Sequence, residues 1–164
     1  MHPAALPIDE LLDACDVATT RRGGPGGQHR NKVETAVVIR HRPTGVVGEA
    51  SERRSQAENR RMAVRRLRLA LAVAVREPPA DARSSAWSAR SRAGRLAVAS
   101  DHDDYPTILA EALDELAARG WRLADAARQL GITASQLVGL FRRSPAAWQA
   151  VNAARRQAGL PRLD

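Results

Sequence analysis

The chain has 164 residues, 44% of them hydrophobic and 27% charged, a composition that supports a packed core and argues against wholesale disorder. No apolar run reaches the roughly 18 residues needed to cross a bilayer, and the lone Cys15 excludes a disulfide framework or a cysteine-based zinc site. The net charge of +8 is concentrated between Arg21 and Arg76, where 14 Arg/Lys face 4 Glu, so a polyanion is the expected partner.

Met1 to Asp16 is acidic and has no basic leader region, so neither a secretory signal nor a mitochondrial presequence is expected; the expected location is the cytoplasm. Pro7 opens a short helical pattern with Ile8, Leu11, Leu12 and Cys15 on one face. Val17 to Arg22 reads as a strand running into Gly23-Gly24-Pro25-Gly26-Gly27, which no regular element can hold. Thr35 to Arg40 is a second strand, Pro43-Thr44-Gly45 a turn, and Val46 to Ala50 the returning strand of a hairpin. Ser55 and Glu58 form a capping box for a long helix reaching about Val75. Val64, Leu67, Leu71 and Val75 are its expected buried face, with Arg60, Arg61, Arg65, Arg68 and Arg76 outward.

Residues 80–104 lack sustained periodicity and read as a linker, with Asp101 to Asp104 solvated. Pro106 suits the first turn of a helix carrying Leu109, Leu113, Leu116 and Ala117. Leu123 to Leu130 is a further helix closed by Gly131, Thr133 caps one from Ala134 to Arg143, and Ser144-Pro145 starts the last, ending near Gly159. The expected fold is α+β: a short β-sheet packed on a long helix in residues 1–78, a linker at 79–104, and an all-α, helix-turn-helix-like unit at 105–164.

The segment from Arg22 to Lys32 carries the chemistry. A dinucleotide fingerprint needs glycine where His29 stands, and a P-loop needs Gly before and Ser/Thr after Lys32, where Asn31 and Val33 stand. The run GPGGQHRNKVETAV, the strand–PTG–strand hairpin and Arg54-Ser55-Gln56 followed by Asn59 together resemble the catalytic domain of class I peptide chain release factors. This resemblance spans about residues 8–76.

It implies a GGQ loop placed beside the ester that joins a peptide to P-site tRNA. Gly26 and Gly27 permit torsions closed to other residues. The backbone N–H of Gln28 stabilises the developing oxyanion or leaving 3′-oxygen, and its side chain orients water. Glutamine has no useful pKa and is no general base, so the ribosome supplies most of the catalysis. His29, Arg30, Asn31, Lys32, Arg53, Arg54, Ser55, Gln56 and Asn59 are the expected RNA-binding set. No metal or cofactor is implied. The partners implied are large-subunit rRNA at the peptidyl-transferase centre and peptidyl-tRNA, with the chain a monomer.

Release factors that read stop codons carry a separate domain for that purpose, and residues 1–20 are too short to hold one. The expected activity is therefore that of the stand-alone GGQ proteins of bacterial type: codon-independent, ribosome-associated peptidyl-tRNA hydrolysis that rescues stalled ribosomes. The alternative is a non-catalytic ribosome- or tRNA-binding factor. Many stand-alone relatives end in a basic tail, whereas residues 101–164 balance 8 basic against 8 acidic side chains. Ala124 to Leu140 resembles a helix-turn-helix, with Leu130, Ile132, Leu137 and Leu140 inward. Its neutral charge disfavours DNA as a ligand, and Trp121, Phe141 and Trp148 are expected core.

Overall fold

The computed structural model describes residues 1–20 and 35–164, which divide into two compact units, Leu6–Leu71 and Met1–Ala5 with Ala72–Asp164. The fold is α+β. The first unit contains α1 (Ile8–Asp13), β1 (Cys15–Thr20), β2 (Ala36–His41), β3 (Val47–Ala50) and most of α2 (Gln56–Ala74). The strands form an antiparallel sheet in the order β1-β2-β3, with Val17 opposite Ile39 and Ile39 opposite Gly48.

Strand periodicity puts Val37, Ile39 and His41 of β2 on the buried face and leaves Arg40 exposed. Gly45, at φ +71°, lets the PTG turn close: its N–H bonds the His41 carbonyl at 2.8 Å, and the His41 N–H returns to Val46 at 2.9 Å. Thr44 Oγ1 lies 2.8 Å from His41 Nδ1, and burial lowers the pKa of that ring. Arg42 joins the turn to the start of the sheet by donating to the Cys15 carbonyl at 2.7 Å.

The sheet meets α2 at Gly48. A Cβ there would come within 3.0 Å of Ala63 O, Leu67 N and Leu67 Cβ, so only glycine lets the two backbones approach this closely. On α2, Asn59, Ala63, Val64, Leu67 and Leu71 are buried, while Arg60, Arg61 and Arg66 are exposed. Ser55 caps the helix, accepting from the Glu58 N–H at 3.4 Å.

Three details depart from the sequence reading. Ile8 is 50% exposed rather than on the buried face of α1, and Cys15 opens β1 instead of closing the helix. The long helix ends at Ala74, within a residue of the expected Val75. Tertiary groups take over there: the Val75 carbonyl bonds His2 Nε2 at 3.2 Å, and Asp114 Oδ1 accepts from the Glu77 N–H at 3.1 Å. Arg76, expected outward, instead donates to Asp114 at 3.0 Å.

The second unit starts with a single 3₁₀ turn, Pro3–Ala5, and continues through α3 (Ser85–Arg90), β4 (Ser91–Arg92), β5 (Arg95–Leu96), α4 (Tyr105–Ala118), α5 (Leu123–Leu130), α6 (Ala134–Arg142) and α7 (Pro145–Gln157). Residues 79–104, read as a linker, hold α3 and the β4–β5 hairpin. Ser84 caps α3 by accepting from Trp87 N and also bonds Glu111 on α4 at 2.6 Å. Trp87 is buried. In the acidic run Asp101 and Asp103 are exposed as expected, while Arg90 donates to Asp104 at 2.9 Å and lies 2.6 Å from His102 Nε2.

Helices α4 to α7 pack in succession. Leu109, Leu113 and Leu116 are buried as their spacing predicts, together with Ala127, Leu130, Ile132, Leu137, Leu140 and Phe141. Gly131 at φ +69° closes α5 in the left-handed conformation. Tyr105 anchors α4 to α6 through its hydroxyl, which donates to Leu140 O at 2.9 Å. Trp121 and Trp148, expected core, are only half-buried; the buried rings are Trp87, Tyr105 and Phe141.

Candidate RNA-facing site at the root of the glycine segment

Gly26, Gly27, Gln28, His29, Arg30, Asn31 and Lys32 lie outside the described residues. The structure does give the two ends of the segment that carries them. Thr20, the last residue of β1, pairs with Ala36, the first of β2, so the described chain on either side of residues 21–34 lies side by side.

Asn59 fixes the return end. Its Nδ2 donates to Thr35 O at 2.6 Å and to Arg53 O at 3.0 Å, and its Oδ1 accepts from Arg53 N at 3.0 Å. One side chain thereby ties the turn before α2 to the residue that follows the glycine segment. Asn59 is fully buried. The RNA-contact role expected of it from sequence is corrected accordingly: its polar atoms are spent on backbone, and it acts as a latch.

The neighbours of this latch face solvent. Arg53, Arg54, Ser55 and Gln56 are all exposed, as are Arg60 and Arg61 one turn further on. Glu52 sits among them but is neutralised by Arg66, whose guanidinium holds the Glu52 carboxyl down to about 2. Arg66 also donates to Glu49 O at 2.7 Å. The start of α2 thus presents guanidiniums at the root of the segment, a surface suited to phosphates rather than to proton transfer.

Sequence reasoning missed Thr35 as an anchor and Gly48 as the point of closest sheet–helix approach. A glycine within an otherwise alternating strand was the available signal for Gly48; nothing in the sequence marked Thr35.

Residues 8–103, more than half of the chain, match the RF-1 domain. The chain belongs to this family. It is 47% identical over 73 residues to the chloroplastic peptide chain release factor PrfB1 of Arabidopsis thaliana, covering 44% of this chain and 16% of the relative. It is 44% identical over 82 residues to peptide chain release factor 1 of Xylella fastidiosa, covering 50% of this chain and 20% of the relative. Against peptide chain release factor 1 of Caldicellulosiruptor saccharolyticus it is 50% identical over 56 residues, with 34% and 16% covered. The chain therefore spans a fifth or less of the length of these curated relatives. No solved structure gives a significant match.

The RF-1 match runs past α2 into the β4–β5 hairpin and the residues before α4. That hairpin bears on the helix-turn-helix reading of the remainder. Gln136, on the helix that would enter a DNA groove, accepts from Leu96 N at 2.7 Å and donates to Gly94 O at 3.2 Å. Arg143 donates to Val98 O. The side chain best suited to reading bases is already bonded to the chain's own backbone.

Proposed function

We propose that this RF-1 domain protein is a ribosome-dependent hydrolase of the peptidyl-tRNA ester, acting without reading a codon to free stalled ribosomes. The observation that carries the reading is the family match across residues 8–103, a span that includes Gly26-Gly27-Gln28. The latched segment root and the exposed arginines beside it support the reading.

In this mechanism the two glycines let the backbone approach RNA closely. The Gln28 N–H donates to charge developing on the ester oxygen, an effect of roughly 3–4 kcal/mol where comparable donors are removed. The Gln28 side chain orients water, and rRNA holds the ester ready for attack. Arg30, Lys32, Arg53 and Arg54 bind rRNA phosphates.

The test is release of labelled peptide from ribosomes stalled on mRNA that ends without a stop codon. The full chain should release peptide, Gln28→Ala should slow release while keeping the amide N–H, and Gln28→Pro, which removes that N–H, should abolish it. Stable ribosome binding without release by the unaltered chain would overturn hydrolysis in favour of a non-catalytic binding role.

A further inference from the structure

The cleft between α7 and the residues that follow it has no role in the reading above. Residues after Gln157 fold back along the helix: Arg155, itself 7% exposed, donates from Nε to Pro161 O at 3.0 Å and from Nη1 to Trp121 O at 2.6 Å. Leu163 N donates to Asn152 Oδ1 at 2.8 Å. Between helix and returning chain lies an open cleft of about 330 Å³, lined by Trp148, Gln149, Asn152, Arg156, Leu160 and Arg162. That is room for one nucleobase and its sugar.

Three features of its lining suit a ligand together. Asn152 lines the cleft and spends its Oδ1 on Leu163 N, which pins the returning chain and holds the cleft's shape. Trp148 is half-buried and lines the cleft, with the Arg142 guanidinium 5.1 Å from the ring centroid. Arg156 and Arg162 are exposed at its edge and have no carboxylate partner among the described residues.

We propose that this cleft binds one nucleotide of a single-stranded polynucleotide. Trp148 stacks on the base, and Arg156 and Arg162 take the flanking phosphates. An acidic peptide would engage the arginines, but it has no ring to place against Trp148. The site needs neither a ribosome nor Gln28, so it and the hydrolase reading can fail separately.

The test uses the full chain with a fluorescein-labelled oligouridylate, and the matching oligodeoxythymidylate in a parallel arm, followed by anisotropy at low salt. Unlabelled oligonucleotide is titrated in a second experiment that reads tryptophan fluorescence. Binding should fall roughly tenfold in the Arg156→Glu/Arg162→Glu double variant and less than about twofold in Arg92→Glu, an exposed arginine outside the cleft. Trp148→Phe keeps a ring in place, so the fold should persist while the quenching is lost. Tighter binding in the ribose arm identifies RNA as the source, and tighter binding in the deoxyribose arm identifies DNA; either supports the site. Equal weakening by Arg92→Glu, quenching that survives Trp148→Phe, or quenching by polyglutamate but not by either oligonucleotide would overturn it, the last pointing to a protein partner.

Discussion

Asn59 Nδ2 donates to the Thr35 carbonyl at 2.6 Å, joining the first turn of α2 to the residue on which the glycine segment ends, 24 positions earlier in the chain. Because the same amide also serves Arg53, its removal orphans part-buried backbone groups on two segments at once. Asn59→Ala is expected to destabilise by about 2–4 kcal/mol. Asn59→Asp should be worse, since a carboxylate oxygen would then face the Thr35 and Arg53 carbonyls in place of a donor. Urea unfolding of the three proteins checks the order. In the release assay, Asn59→Ala should lower the maximal rate more than the affinity for ribosomes, because the exposed arginines remain.

Gly48 limits how close β3 and α2 can come. Gly48→Ala places a methyl against the Ala63 carbonyl and the Leu67 backbone, neither of which can swing aside as a side-chain tip could. A loss of about 2–3 kcal/mol is expected from forced overpacking. By contrast Gly139, on α6, has nothing within 4 Å of an added Cβ. Gly139→Ala should stabilise by roughly 0.5–1 kcal/mol through helix propensity. Thermal melts of both variants decide the contrast.

Periodicity made most of this architecture legible. The stripe Val64-Leu67-Leu71 and the caps at Ser55, Thr133 and Ser144 each depend on neighbours in sequence, and each appears where its spacing predicts. What escaped were choices made by distant partners. Arg76 turns inward because Asp114 waits 38 residues on, and the supposed linker is structured because Glu111 and Gln136 bond it. The family resemblance also put Asn59 in the RNA-binding set, whereas its side chain is buried and bonded to Thr35 and Arg53. The residues expected to do the chemistry, Gly26, Gly27 and Gln28, were readable only from their motif.

Asp114 makes one pH dependence testable. Burial pushes its carboxyl up to about 6, against the pull of the Glu77 N–H and Arg76. The folded state therefore binds this proton more tightly than the unfolded chain does. The resulting stability is fully present below the unfolded pKa, near 3.8, and is lost as pH rises through about 6. Relative to Asp114→Asn, which keeps an acceptor for Glu77 N, the unaltered protein should lose up to about 2–3 kcal/mol between pH 4 and pH 7.5. A pH series of urea midpoints for the pair isolates this group; a constant difference would show that Arg76 compensates the carboxylate fully.

The ion network on α4 carries an asymmetry that mutation can expose. Glu115 is only 1% exposed, whereas its partners Arg83 and Arg119 have side chains 23% and 43% exposed, at 3.0 and 2.8 Å. Burial alone would raise the Glu115 pKa, but hydrogen bonds from both arginines hold it below the usual range. Its contribution is thus present above the ordinary glutamate pKa and lost only as pH falls through the lowered value. If Glu115 is removed, the arginines can turn to water. If Arg83 is removed, the carboxylate cannot follow. Arg83→Ala should therefore cost about 1.5–3 kcal/mol at pH 7.5, since Arg119 still pairs the carboxylate, and more than Glu115→Gln. With one arginine gone, burial should dominate the carboxyl and raise its pKa, so Arg83→Ala should regain part of its loss on acidification to pH 5 while Glu115→Gln does not. Equal costs and parallel pH profiles for the two variants would mean that Glu115 reaches solvent, contrary to its burial beneath Arg83.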